Sequence, residues 1–242
     1  MDRRTFGLGA SAALLSTAAA RAEGGPGALD GPRRQPQRQQ AKFLILMLHG
    51  FGSDGADMIG LAPDFQAYAP TAAFAAPNGP FKMQGGYSWF PVGAPTGAKA
   101  PKGAPAEAGA PQGLEAFIDD ELERHNLRPE RLILIGFSQG ASAVLNAGLR
   151  SKAPPAAIVA FSGFNLSPKG LKREERRPPV LLIQGDKDPR VPAGAEDKAV
   201  QVLKRAGAPA TAYMLAGLGH GIDERGIRLA GELLRSVTGG AG

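Results

Sequence analysis

RLILIGFSQGASAVLNAGL, residues 131–149, changes its period halfway along. Residues 132–135 are continuously apolar, as expected for a parallel strand buried on both faces. Beyond them Ala141, Val144, Leu145, Gly148 and Leu149 recur at helical spacing. Between the two stands GFSQG, residues 136–140, which puts Ser138 at the tip of a strand-to-helix turn. So sharp a turn forces strained backbone angles on its tip residue, and glycines two residues to either side let strand and helix pack closely. The pattern reads as a nucleophile elbow, with a hydroxyl exposed at a helix N-terminus where a developing oxyanion is favoured. The plain alternative is a Gly-Ser turn in an ordinary βα unit. A chain with 34 glycines makes that alternative real, so the hydroxyl needs partners.

A serine hydroxyl is a weak nucleophile near neutral pH unless a base takes its proton, and the base needs an acid to fix its tautomer. Three histidines are available. His125 ends a charged amphipathic stretch and reads as a solvated residue near a helix C-terminus. His49 follows the strand KFLILML and opens HGFG, which offers backbone N–H groups rather than a base. His220, in LAGLGHGID after a late apolar segment, is the candidate base, with a structural loop histidine as its plain reading. Between serine and histidine, PVLLIQGDKDPRVP is a buried strand ending in a polar loop with Asp186 and Asp188. The chain order Ser138, Asp188, His220 is that of α/β-hydrolases. Asp188, stiffened by the following proline, is the favoured orienting acid; Asp186 competes, or is a turn residue bonding its own backbone. Two backbone donors suit the developing oxyanion: the N–H of Gln139, after the nucleophile, and that of Phe51 within HGFG.

The chain resembles the phospholipase/carboxylesterase family of α/β-hydrolases, which includes small bacterial carboxylesterases and acyl-protein thioesterases. The likeness runs from about residue 42 to 237, through LMLHGFGSDG, APNGP, YSWF (87–90), LILIGFSQGA, AFSGF (160–164), LLIQGDKDPRVP and GHGID. Carried onto matching positions, the family's triad falls on Ser138, Asp188 and His220 and its oxyanion donors on Phe51 and Gln139, which favours Asp188 over Asp186. The resemblance implies hydrolysis of carboxylic esters or thioesters without a metal or organic cofactor. The first reading is a carboxylesterase; the alternatives are a lysophospholipase or acyl thioesterase for longer chains, and a non-catalytic binding protein of the same fold. Trp89 and Phe90 are candidates for lining the substrate entrance, against a core role for the only tryptophan.

Apolar runs near 42–48, 72–76, 131–136, 156–161, 179–184 and 211–215 alternate with helical patterns near 54–68, 113–126, 139–150, 194–206 and 222–237. That alternation predicts one α/β-hydrolase domain over 42–238, a mostly parallel sheet with helices on both faces and a short or absent cap. Two stretches depart from the family pattern. Residues 23–41, EGGPGALDGPRRQPQRQQA, lack apolar periodicity and read as a flexible tail in place of extra strands, and GAPTGAKAPKGAPAEAGAP (93–111) alters the region near the substrate entrance. Residues 239–242 read as a disordered C-terminus, and the charge cluster 169–179 as a solvated loop.

Residues 1–22, with an Arg pair, a small-residue apolar stretch and Ala20-Arg21-Ala22, read as a twin-arginine-like export signal and imply a periplasmic or secreted protein. At about 15 residues the apolar stretch is short for a membrane span, so no stable anchor is expected. The net charge of +6 includes two units from Asp2, Arg3, Arg4 and Arg21 of that segment. With 6% aromatic residues and no basic–aromatic interleaving, nucleic acid is not an expected partner. The expected partner is a small ester or thioester substrate, bound by a monomer or homodimer.

Overall fold

The computed structural model describes residues 28–37, 40–91 and 110–239. The expected export signal (1–22), most of the Gly/Ala/Pro-rich segment (92–109) and residues 240–242 of the expected C-terminal tail lie outside the described residues.

Six strands make a parallel sheet: β2 (Phe43–Leu48), β3 (Ala72–Ala75), β6 (Leu132–Phe137), β7 (Ala157–Phe161), β8 (Val180–Gly185) and β9 (Ala210–Leu215). A short antiparallel strand, β1 (Arg33–Arg34), closes one edge, giving the order β1-β3-β2-β6-β7-β8-β9. A hairpin of β4 (Phe81–Met83) and β5 (Gly86–Ser88) stands apart.

Alternate residues of each apolar strand feed opposite faces, as a pleat requires. Leu44, Leu46, Leu134, Ile158 and Leu182 pack under α3 (Leu114–Arg124), α4 (Gln139–Gly148) and α5 (Ala195–Ala206). Phe43, Ile45, Ile133, Val159 and Ile183 pack under α1 (Gly55–Ile59), α2 (Ala62–Gln66) and α6 (Glu224–Thr238). Both faces are therefore covered, the arrangement in which continuous apolar strands are stable. The carboxyl ends of β2, β6, β8 and β9 open into loops at one rim of the sheet, where open α/β sheets bind ligands.

Two expectations change. The helix expected over 54–68 is two short helices, because Pro63 has no N–H to offer the carbonyl of Ile59 and its ring interrupts a continuous turn. The described part of the expected flexible tail is fixed to the sheet margin. Arg33 pairs across to Ala75, the Pro32 carbonyl accepts from the Ala76 N–H at 3.0 Å, and the Asp30 carbonyl from Asn78 at 2.9 Å. Arg33 Nε reaches Glu121 Oε1 at 2.9 Å, and Arg124 Nε reaches the same oxygen at 3.1 Å, so a carboxylate only 1% exposed is doubly paired. A buried carboxylate is tolerable only with such partners.

Candidate active site

Ser138 lies between β6 and α4 with φ 55° and ψ −114°, a positive-φ conformation that side chains other than glycine rarely adopt. The turn is held from several sides. The Ser138 N–H donates to the Phe161 carbonyl at 2.8 Å. A Cβ on Gly136 would come within 2.3 Å of the Gly140 carbonyl oxygen, and one on Gly140 within 2.2 Å of that of Leu48. Those two glycines are therefore required by close backbone approach, and the strained serine is held by its surroundings.

His220 Nε2 stands 2.9 Å from Ser138 Oγ, and its Nδ1 stands 2.7 Å from Asp188 Oδ2. An ionised carboxylate only accepts, so Nδ1 carries the proton and donates to Asp188; Nε2 is then free to accept from the Ser138 hydroxyl. The Asp188 side chain is fully covered, and its Oδ1 accepts the N–H groups of Arg190 at 2.7 Å and Val191 at 3.2 Å. Burial works to raise this carboxyl, but the hydrogen bond from His220 and those two backbone donors outweigh it and hold the pKa below the ordinary carboxylate value. Phe137 lays its ring 4.9 Å from the imidazole of His220, fixing its other side. Asp186 stands outside this line. Its Oδ1 accepts the Gly217 N–H at 2.6 Å and so ties the loop after β8 to the loop that carries His220.

Gln139 opens α4, where the first N–H groups have no intrahelical acceptor. In HGFG the Gly52 N–H is taken by the Tyr87 carbonyl at 2.9 Å and that of Ser53 by Gly50 at 3.2 Å. Phe51, 42% exposed, borders the same cleft as Ser138 and His220. The loop is braced by His49, whose side chain is fully buried. Its Nε2 accepts the Gly79 N–H at 3.0 Å, so the ring proton sits on Nδ1 and goes to the Gly50 carbonyl at 2.7 Å. Burial lowers the His49 pKa, and the ring is neutral.

Trp89 and Phe90 do not line the cleft around Ser138 among the described residues. Trp89 is 0% exposed, with its indole N–H bonded to the His49 carbonyl at 2.8 Å and its ring 4.9 Å from the His49 ring. Phe90 packs against the same core. The tryptophan goes inside because its polar edge finds a partner there. The YSWF segment acts on the elbow from behind, since the Trp89 N–H donates to Gln139 Oε1 at 2.8 Å.

Two clefts meet at Ser138. The larger, about 910 Å³, lies between residues 162–166 and α5; the smaller, about 350 Å³, lies between Phe51, Phe137 and Ile222. Residues without an expected role border the larger one: Ser142, Ser162, Arg190 and Lys198.

A family model described as phospholipase/carboxylesterase matches residues 30–238. Acyl-protein thioesterase 1 of Saccharomyces cerevisiae is 29% identical over 187 residues, covering 72% of this chain and 82% of its own. Carboxylesterase SOBER1 of Arabidopsis thaliana is 26% identical over 200 residues, covering 78% and 87%. The crystal structure of esterase PE8 matches with a TM-score of 0.77 and 38% identity, covering 87% of this chain and 99% of that one. One expectation is corrected by these relatives. A periplasmic or secreted placement through a twin-arginine-like signal is not retained: the relatives that match include acyl-protein thioesterase 1 of Saccharomyces cerevisiae and of Kluyveromyces lactis, and residues 1–22 lie outside the described residues. With its parallel sheet, its serine on the β6–α4 turn and a family match over most of its length, the chain belongs to the phospholipase/carboxylesterase family of α/β-hydrolases and is a carboxylic ester hydrolase.

Proposed function

We propose that the enzyme cleaves carboxylic esters through Ser138, His220 and Asp188 by way of an acyl-enzyme. The observation that carries this reading is the continuous hydrogen-bonded line from Ser138 Oγ to His220 Nε2 at 2.9 Å and from His220 Nδ1 to Asp188 at 2.7 Å. In the first half-reaction Ser138 Oγ bonds to the ester carbonyl carbon as its proton passes to His220 Nε2. Asp188 stabilises the imidazolium that results. The carbonyl oxygen becomes an oxyanion facing the N–H groups of Phe51 and Gln139, each worth about 3 kcal/mol to the transition state. Collapse breaks the bond to the leaving oxygen, which takes the proton from Nε2. Water then enters and gives a proton to His220 Nε2 as its oxygen bonds to the acyl carbon; the bond from that carbon to Ser138 Oγ breaks, Nε2 returns the proton to Oγ, and the carboxylic acid leaves.

Acyl thioesters are a second substrate class, supported by the likeness to acyl-protein thioesterase 1 over 72% of the chain. A chain-length series of 4-nitrophenyl esters run beside an acyl-CoA and a lysophospholipid ranks the classes by kcat/KM. The residue assignment is tested by Ser138→Ala, which is expected to lose at least about a thousandfold in kcat with the fold intact. Turnover near wild type in that variant would end the assignment.

A further inference from the structure

If Ser138 accepts the acyl group, the two clefts beside it divide the substrate. His220, which must hand its proton to the departing atom, borders both clefts; the smaller one is flanked in addition by Gly221 and Ile222 of the histidine loop and is taken as the leaving-group side. The larger groove is then left for the acyl group. Along α5, Ala195, Lys198, Ala199 and Val202 are spaced i, i+3, i+4 and i+7 and present one stripe to it, with Phe164, Leu166 and Val191 as further apolar wall.

Two features distinguish this groove from a plain hydrocarbon channel. Lys198 borders it alone and Arg190 stands where it meets the smaller cleft, and neither side chain has a hydrogen-bond or ion-pair partner among the described residues. No Asp or Glu borders it; Glu196 and Asp197 of the same helix lie off the stripe.

We infer that this groove takes an acyl group ending in an anion, of the class of dicarboxylic half-esters or half-thioesters, in preference to a plain fatty chain. Lys198 and Arg190 supply the countercharge. The inference rests on the serine-hydrolase reading of Ser138. It is tested by kcat/KM for mono-4-nitrophenyl adipate and suberate against the length-matched neutral 4-nitrophenyl hexanoate and octanoate, in wild type and in Lys198→Glu and Arg190→Gln, whose exposed side chains can change without disturbing the core. The wild type is expected to prefer at least one half-ester by about tenfold, and that ratio to fall by about tenfold or more in Lys198→Glu and by less in Arg190→Gln. A ratio below that at both lengths, or one unmoved by Lys198→Glu, overturns it. A preference seen only when the carboxylate sits on the leaving group, as in 4-carboxyphenyl hexanoate, also overturns it. Failure to hydrolyse even the neutral esters would instead sink the hydrolase reading itself.

Discussion

His49, after β2, and His220, after β9, lie at the same rim of the sheet, and both imidazoles use both ring nitrogens. His49 spends its pair on main-chain groups of two loops, bonding the Gly50 carbonyl and the Gly79 N–H. His220 spends its pair on a carboxylate and a hydroxyl. The first arrangement has no group that gains from receiving a proton, and burial keeps it neutral. The second has an acid to steady the charged ring and a donor waiting on the other side. What a histidine does is set by what its two nitrogens meet, and residue type alone does not distinguish a clamp from a base.

The contrast breaks most visibly at His220. His220→Ala is expected to lose at least about a thousandfold in kcat towards 4-nitrophenyl butyrate, with the thermal midpoint little changed. Next comes the carboxylate pair. Asp188→Asn leaves a side chain that need not hold the same tautomer and is expected to cost on the order of a thousandfold, whereas Asp186→Asn, which touches only the Gly217 N–H, is expected to cost less than about tenfold. The reverse order in measured kcat would show the two roles exchanged.

His49→Gln sharpens the comparison from the other side. It removes a clamp and leaves buried backbone groups short of partners, so its main effect is expected on stability, about 1–3 kcal/mol by chemical denaturation, with a smaller loss of kcat than His220→Ala. The smallest effect is the pH dependence of that stability. With the His49 pKa lowered in the folded protein, the unfolded chain binds a proton as pH falls through about 6.5 while the folded one does not, so stability declines below that pH until the folded pKa is passed. The slope from one such group is at most about 1.4 kcal/mol per pH unit. His125 is shifted the same way by burial, so the quantity to compare is the slope of wild type minus that of His49→Gln. The Asp188 carboxyl, depressed in the fold, contributes stability that is present above its unfolded value near 3.8 and is lost only as pH falls further.

The elbow is legible in the sequence because three local signals coincide in one stretch: an apolar run, glycines at fixed offsets around Ser138, and helical spacing from Ala141. His220 follows from chain order and from the scarcity of histidines, whereas chain order admits Asp186 as well as Asp188 and the family resemblance is what favours Asp188. β1 leaves no trace because its two residues are arginines whose pairing uses backbone alone, and the Arg33–Glu121 contact spans 88 positions. Strands of three residues such as β4 and β5 are too short to show a period. Trp89 stays open in the sequence between an entrance and a core role because its burial depends on His49 and Gln139, 40 and 50 positions away. Lys198 escapes the sequence for a related reason. The spacing of α5 shows a stripe, but which stripe faces a groove is decided by the segment packed opposite.

The central claim is that one imidazole, oriented by Asp188, makes Ser138 a nucleophile. Treating the protein with a fluorophosphonate probe and locating the adduct by peptide mass spectrometry tests it most directly. The account predicts a single stoichiometric adduct on Ser138 that vanishes in His220→Ala; an adduct on another residue, or undiminished labelling of that variant, would contradict it.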